Sequence, residues 1–272
     1  MQKTLEFNYY KPNDPATKNI IHSIWQMDRF TSYVKEYIIP KGIVEIIFNF
    51  SDGSPIIAQF ENRKYQLPKC FINGYNTMAI QIQPPKHQVF FGIQFLPLSI
   101  KKIFGTPASE FSDIAVDITL LDPSFNSLWH QVVEQENFDD RVAVFLAWVK
   151  RNFIEWHPQE QLINKFLYTV NQDEYSVKAL ADYLCYSPRQ LSRKLSEATT
   201  MNTEEILLYK KYLHAVHLMH HTDLSLTAIA YQSRFSDQSH FIKSFRAYTK
   251  MTPGEYRGIK SANQGHIYQN VR

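Results

Sequence analysis

The feature that most constrains this chain is a repeat. "SPRQLSRKLSEAT" at 187–199 and "DQSHFIKSFRAYT" at 237–249 align at a constant offset of 50, with Leu191, Leu195 and Ala198 standing where Phe241, Phe245 and Tyr248 stand. On a helix these positions fall at i, i+4 and i+7, one face of the cylinder. The register continues through Thr199/Thr249, Met201/Met251 and Glu205/Glu255. Upstream, "VKALADYL" (177–184) pairs with "LTAIAYQS" (226–233), Leu180-Ala181 on Ile229-Ala230, at an offset of 49. The one-residue difference falls in the turn, so the duplicated unit is a helix, a turn and a second helix.

The second helix of each unit has two unlike sides. Opposite the rings of the later copy lie Ser239, Lys243 and Arg246, with His240 and Ala247 on a flank; in the earlier copy Arg193 and Ser196 match Lys243 and Arg246. Between the units, "NTEEILLYKKYLHAVHLMHH" (202–221) is strongly helical, opening with Asn202 or Thr203 as cap and Glu205 near the third position. About 20 residues give it a length of roughly 30 Å. That is close to the roughly 34–36 Å turn of B-DNA, so helices at its two ends would meet one side of a duplex in consecutive major grooves.

These residues resemble the DNA-binding domain of AraC/XylS-type bacterial transcription regulators. "LADYLCYSPRQLSRKLSEAT", "YKKYLHAVHLM" and "LTAIAYQSRFSDQSHFIKSFRAYTKMTPGEYR" carry the likeness over about 171–257, through Ile229-Ala230, Phe235, Ser239-His240-Phe241, Phe245, Pro253 and Tyr256-Arg257. The resemblance implies base-edge contacts from Arg189, Gln190 and Arg193 in the first unit and from Gln238, Ser239, His240 and Lys243 in the second. Arg forks onto guanine, Gln onto adenine, and Lys reaches guanine acceptors. Lys194, Arg246 and Lys250 suit phosphates, and Ser187 and Asp237 suit helix caps. For His240, packing at the helix start is an equal alternative. Family partners carried over are promoter DNA and RNA polymerase. The chain departs from the family pattern at Arg234, where glycine is usual before the phenylalanine and a left-handed turn would cost a side chain something. It departs again at Thr200, Lys250 and Thr203.

The N-terminal half has a different period. "GIVEIIFNF" (42–50), "AIQIQ" (79–83) and "VFFGIQF" (89–95) read as short strands between turn clusters such as "SDGSP" and "QPPK". Helices follow at 124–135, 139–153 and 158–170, the second capped by Asp139 or Asp140 and striped by Val142, Phe145, Leu146, Val149 and Phe153. The expected fold is therefore multidomain α+β. A β-rich barrel or sandwich sensor or oligomerisation domain with trailing helices (1–155) precedes an all-α domain of two helix-turn-helix units joined by a long helix (158–258) and a tail (259–272). This first part is also similar, more loosely, to β-rich sensor domains fused to such regulators, which implies a small-molecule effector. The stripe at 142–153 is either a homodimer face or core of its own domain.

Charge and motifs narrow the function further. The net charge of +3 is carried after residue 170, where 13 basic residues face 9 acidic ones. That bias is modest, so a polyanion must be met by placed cations and helix N-termini. No G-x-S-x-G, H-E-x-x-H or phosphate-loop signature occurs, so an enzyme reading has no residues to name, and neither cofactor nor metal is expected. His214, His217, His220 and His221 lack a carboxylate or cysteine beside them and read as helix-surface residues. Cys70 and Cys185 lie far apart and read as small core residues. With no long apolar run, the protein is expected in the cytoplasm. An alternative, a small-molecule binding protein or barrel-type enzyme on a helical scaffold, predicts a bound metal or turnover and no salt-dependent DNA affinity. A DNA-binding adaptor would have a solid N-terminal core instead.

Overall fold

In a computed structural model describing residues 6–31, 34–51, 55–61, 63–152, 158–169 and 176–269, the strands form two antiparallel sheets without barrel closure. The first sheet contains β1 (Glu6–Tyr10), β2 (Ile21–Phe30), β4 (Val44–Asn49), β7 (Cys70–Asn73), β9 (His87–Phe95) and β10 (Ala115–Asp117), in the order β1-β2-β9-β4-β7-β10. The second contains β3 (Lys35–Ile38), β5 (Ile57–Phe60), β6 (Arg63–Gln66), β8 (Ile80–Gln83) and β11 (His266–Gln269), in the order β11-β3-β8-β5-β6. The fifth member is the unexpected one. After the last helix the chain returns to the N-terminal region and β11 pairs with β3, Ile267 opposite Tyr37.

The first sheet is covered on both faces, which is why β4 and β9 read as nearly continuous apolar runs. Ile46, Phe48, Phe91 and Phe95 point to the helices that follow the strands, where Phe125, Phe145 and Val149 complete a core of fully buried side chains. Phe145 stands edge-on to Phe48, Phe91 and Phe95 with ring centroids 5.9–6.5 Å apart, the arrangement aromatic pairs prefer. Ile47, Phe71 and Phe90 point the other way, to Ile80, Ile82 and Ala58 of the second sheet.

The helices are α1 (Pro15–Lys18), α2 (Ser99–Phe104), α3 (Ser124–Val133), α4 (Phe138–Asn152), α5 (Pro158–Tyr168), α6 (Val177–Tyr183), α7 (Pro188–Thr199), α8 (Thr203–His221), α9 (Leu226–Gln232), α10 (Gln238–Thr249) and α11 (Pro253–Ile259). Val142, Phe145 and Val149 of α4 are spent on the chain's own core, which decides between the two readings of that stripe. Phe153 and Val170, which the apolar patterns included, lie outside the described residues. The cap of α4 is Asn137, whose Oδ1 accepts from Asp140 N–H at 2.9 Å, in place of Asp139 or Asp140. Among the described residues no helix is long and apolar enough to cross a membrane.

Among the histidines held below their usual range by burial are two pushed down to about 4. His22, stacked on Tyr168 at 3.7 Å, is pushed down to about 4 by burial and then by Lys11. His220, hydrogen-bonded to the Tyr256 hydroxyl at 2.7 Å, is pushed down to about 4 by burial and then by Lys260. Between pH 6.5 and about 4 these two groups bind fewer protons in the folded chain than in the unfolded one, so their contribution to stability falls as pH drops through that window. Melting temperatures measured from pH 7 to 4.5 are expected to fall. Exchanging His22 for Phe, which keeps the stack, flattens part of the slope.

Candidate nucleic-acid interface

The repeat read from sequence holds down to individual hydrogen bonds. Ser176 caps α6 through Ala179 N–H, and Ser225 caps α9 through Ala228 N–H, both at 3.1 Å. Each first helix closes on a left-handed residue, Cys185 (φ 58°) and Arg234 (φ 63°), followed by Tyr186 N–H to Ala181 O and Phe235 N–H to Ala230 O. Thr199 and Thr249 bend their hydroxyls back to Leu195 O and Phe245 O, and Thr200 (φ 69°) and Lys250 (φ 60°) end the second helices. Capping boxes at Asn202/Glu205 and Thr252/Glu255 then start the next helices.

The turn therefore keeps its left-handed geometry with arginine in the place of glycine. Arg234 O also accepts from Lys211 Nζ at 2.7 Å, which fixes the strained carbonyl. Cys185, expected in the core, is an exposed turn residue for the same reason, since its position serves the backbone. Arg234→Gly is expected to raise stability by about 0.5–1 kcal/mol, relief of the left-handed strain exceeding the added chain entropy. A higher denaturant midpoint at unchanged slope is the readout.

The buried faces of α7 and α10 are as read: Leu191, Leu195, Phe241 and Phe245 are fully buried. Arg189 and Arg193 are exposed on α7, as are Gln238, Ser239, Lys243 and Arg246 on α10 and Lys250 at its end. Three nominated residues already have local work. Gln190 Oε1 accepts from Ser187 N–H at 3.1 Å, closing a capping box. Lys194 pairs with Glu160 at 3.4 Å, on the flank of α7 that faces α2, where Lys102 reaches the same carboxylate at 2.8 Å. His240 shares a 3.0 Å hydrogen bond with Ser236 and stands edge-on to Phe235, which is the packing alternative. Asp237 caps α10 through His240 N–H at 2.8 Å; that bond and the Ser236 hydroxyl hold its carboxyl below the usual range.

Helix α8 joins the two units and also binds the β-domain. Its capping box, Asn202 with Glu205, identifies Asn202 as the cap. It has 19 residues, about 28 Å at 1.5 Å each. Tyr209 Oη accepts from Gly42 N–H at 3.1 Å and donates to Asn76 O at 2.9 Å, and Tyr212 Oη donates to Pro40 O at 3.0 Å. Gly42 is favoured here because its φ of 69° is one that side chains rarely adopt, and a Cβ would also approach Leu213 Cδ1 at 2.6 Å and Tyr75 Oη at 2.9 Å. Lys210 donates to Phe166 O and Thr169 O at the end of α5, its ammonium lowered to about 8 by burial. Tyr209→Phe leaves the buried Gly42 N–H and the half-buried Asn76 O without this partner and is expected to cost about 1–3 kcal/mol. Chemical denaturation of the whole chain measures it.

A cavity of about 510 Å³ lies between the two sheets, lined by apolar side chains such as Trp25, Met27, Ile47 and Phe90 and by a few polar ones. Sequence reasoning nominated no ligand site. The signal was present, because the polar residues that interrupt the apolar strand runs, Glu45, Asn73, Gln88 and Gln94, all line this space. The C-terminal Asn263, Gln264, His266 and Tyr268 line it too.

Residues 180–259 match the family model described as a helix-turn-helix domain, and residues 10–117 match a domain of unknown function (DUF6597). The chain is 31% identical over 128 residues to the HTH-type transcriptional activator RhaS of Enterobacter sp. (strain 638), covering 47% of this chain and 40% of the relative. It is 30% identical over 132 residues to RhaS of Escherichia coli (strain K12 / DH10B), again 40% of that protein, so it spans less than half the length of these relatives. Among solved structures it is similar to ToxT from Vibrio cholerae, at 14% identity and a TM-score of 0.48 over 94% of this chain and 98% of that one. An AraC-type DNA-binding domain-containing regulator from Chromobacterium violaceum matches 32% of this chain and 78% of its own, at 26% identity and a TM-score of 0.31.

Proposed function

We propose that the protein is a sequence-specific DNA-binding activator of transcription whose helix-turn-helix region, 180–259, is of the AraC/XylS type and lays α7 and α10 in successive major grooves. The observation that carries this reading is the pair of equivalent units on α8, each presenting an exposed, cation-bearing helix face with no bulky apolar side chain at its nominated contact positions. Arg189 and Arg193 read base edges in one groove, Gln238, Ser239 and Lys243 in the next, while Arg246 and Lys250 hold phosphates. Gln190, Lys194 and His240 act mainly on the protein side, through the cap, the Glu160 pair and the Phe235 contact.

The word activator rests on the description of the RhaS relatives and extends to RNA polymerase as the partner. The domains we assign are a β-rich sensor domain over 1–155, to which β11 adds a strand, and the reader over 158–258, acting in the cytoplasm. The cavity favours a sensor over an adaptor, which would have a solid core at that place. We assign the cavity as the effector chamber, and no catalytic role is assigned to any residue. The buried stripe of α4 leaves a homodimer to some other surface.

Selection of random duplexes on the whole chain tests the reading. It is expected to give two submotifs about one helical turn, 10–10.5 base pairs, apart. Arg193→Ala and Lys243→Ala should each relax only their own submotif, at about 1–3 kcal/mol, while Lys194→Ala has the smaller effect. Uniform weakening by both substitutions would refute paired recognition.

A further inference from the structure

The chamber has two polar ends separated by apolar walls. At one end Arg29 pairs with Glu36 at 3.2 Å, donates to Gln88 Oε1 at 2.8 Å, and donates to Tyr268 Oη at 3.0 Å; His266 Nδ1 lies 2.6 Å from Glu36. At the other, Glu45 accepts from Trp25 Nε1 at 3.1 Å and Gln94 Nε2 at 2.9 Å and pairs with Lys41 at 3.5 Å. Among the described residues that line the chamber, each end thus contains one cation matched to one carboxylate. Burial holds the His266 imidazole below its usual range despite Glu36. A charged ligand would meet no unmatched opposite charge here and would lose its hydration, a cost that uncharged molecules avoid.

Two buried atoms on the lining have no hydrogen-bond partner among the described residues, Gln88 Nε2 and Asn73 Oδ1. Gln88 is wholly buried, and its other amide atom is held by Arg29, which fixes the unpartnered donor in place. Buried polar groups are seldom left in this state unless something else satisfies them. Register places the two at different ends, since Gln88 lies opposite Arg29, and Asn73 lies opposite Glu45, which in turn faces Gln94.

The third observation is covalent. His266 and Tyr268 belong to β11, the edge strand formed after the reader domain, and Asn263 and Gln264 approach the same space. Ile39 N–H to Gly265 O at 2.9 Å, and Ile267, which is buried, hold this segment down. Only the chain beyond α11 supplies that part of the wall.

We propose that the chamber binds an uncharged, mainly apolar small molecule carrying a hydrogen-bond acceptor for Gln88 Nε2 and a donor for Asn73 Oδ1, in a site that is incomplete without β11. This rests on the effector-chamber reading above and names its ligand class and its second contributor. The ligand is clasped by residues on either side of the DNA reader in sequence.

The test uses N-phenyl-1-naphthylamine, an uncharged fluorescent probe, and its sulfonated counterpart 8-anilinonaphthalene-1-sulfonate, on the whole chain. One uncharged probe per chain is expected to bind, about 10-fold or more tighter than the sulfonate, because an unpaired anion is costly to bury. Ile82→Trp, which fills the chamber, should abolish the signal. A chain ending at Lys260 should bind about 10-fold more weakly while melting cooperatively, and Tyr268→Ala, which keeps the tail, should weaken binding in the same direction. Equal affinity for both probes would overturn the ligand class, and no binding, or binding unchanged by Ile82→Trp, would overturn the site. Full affinity in the truncated chain would overturn the role of β11, with Tyr268→Ala deciding if truncation prevents folding. DNA binding is read separately. Loss of the two-groove motif with intact probe binding would sink the regulator reading and leave the chamber standing.

Discussion

The structure turns on the burial of α8 from two sides. Ten of its 19 residues are buried, far more than the single stripe of a surface helix. One side receives Phe245 and Tyr248 of α10 against Tyr212, with centroids 5.5 and 4.7 Å away. Another is closed by the 40–42 and 75–76 loops of the β-domain, through Tyr209, Tyr212 and Leu213. The same two tyrosines therefore serve the core of the helix-turn-helix region and its contact with the loops of the β-rich region. Removing either ring would open both at once, which is the cost of using one helix as a shared wall.

This arrangement gives the chamber two physical routes to the reader. Pro40, Lys41, Gly74 and Asn76 line the cavity, and the backbone at Pro40, Gly42 and Asn76 is bonded to α8. The second route is β11, which follows α11 after a short stretch pinned by Ser261 Oγ to His266 O at 2.7 Å. A bound molecule shifts the reader only as far as it binds two arrangements of these loops unequally. The ion pairs Lys101–Glu197 and Lys102–Glu160–Lys194 add a third connection, between α2 and the flank of α7. Only Lys101 among these groups is exposed; the half-buried Glu160, held by both Lys102 and Lys194, orients α7.

Local signals made the reader legible. The offset of 50 fixed which side chains are buried, and Ser187, Asn202 and Asp237 announced their helix starts because capping is a property of a few adjacent residues. Sequence also located the departure at Arg234, while only backbone geometry showed that the left-handed turn survives there. Pairings between distant residues were not legible. Nothing near residue 266 announces that it will lie beside Glu36, 230 residues away. Likewise the strands' polar interruptions look like solvent-facing positions until a second sheet is placed over them, and the groups that occupy Lys194 and Gln190 come from packing and capping that a face diagram omits.

Guanine N7 methylation interference on a duplex selected by the whole chain is the most direct test of the central claim, because N7 is exposed in the major groove and would be shielded under Arg193 and Lys243. Two clusters of interfering guanines on one side of the helix, separated by about one turn of 10–10.5 base pairs, are predicted. A single cluster, or interference confined to phosphate ethylation with no guanine effect, would contradict two-groove recognition.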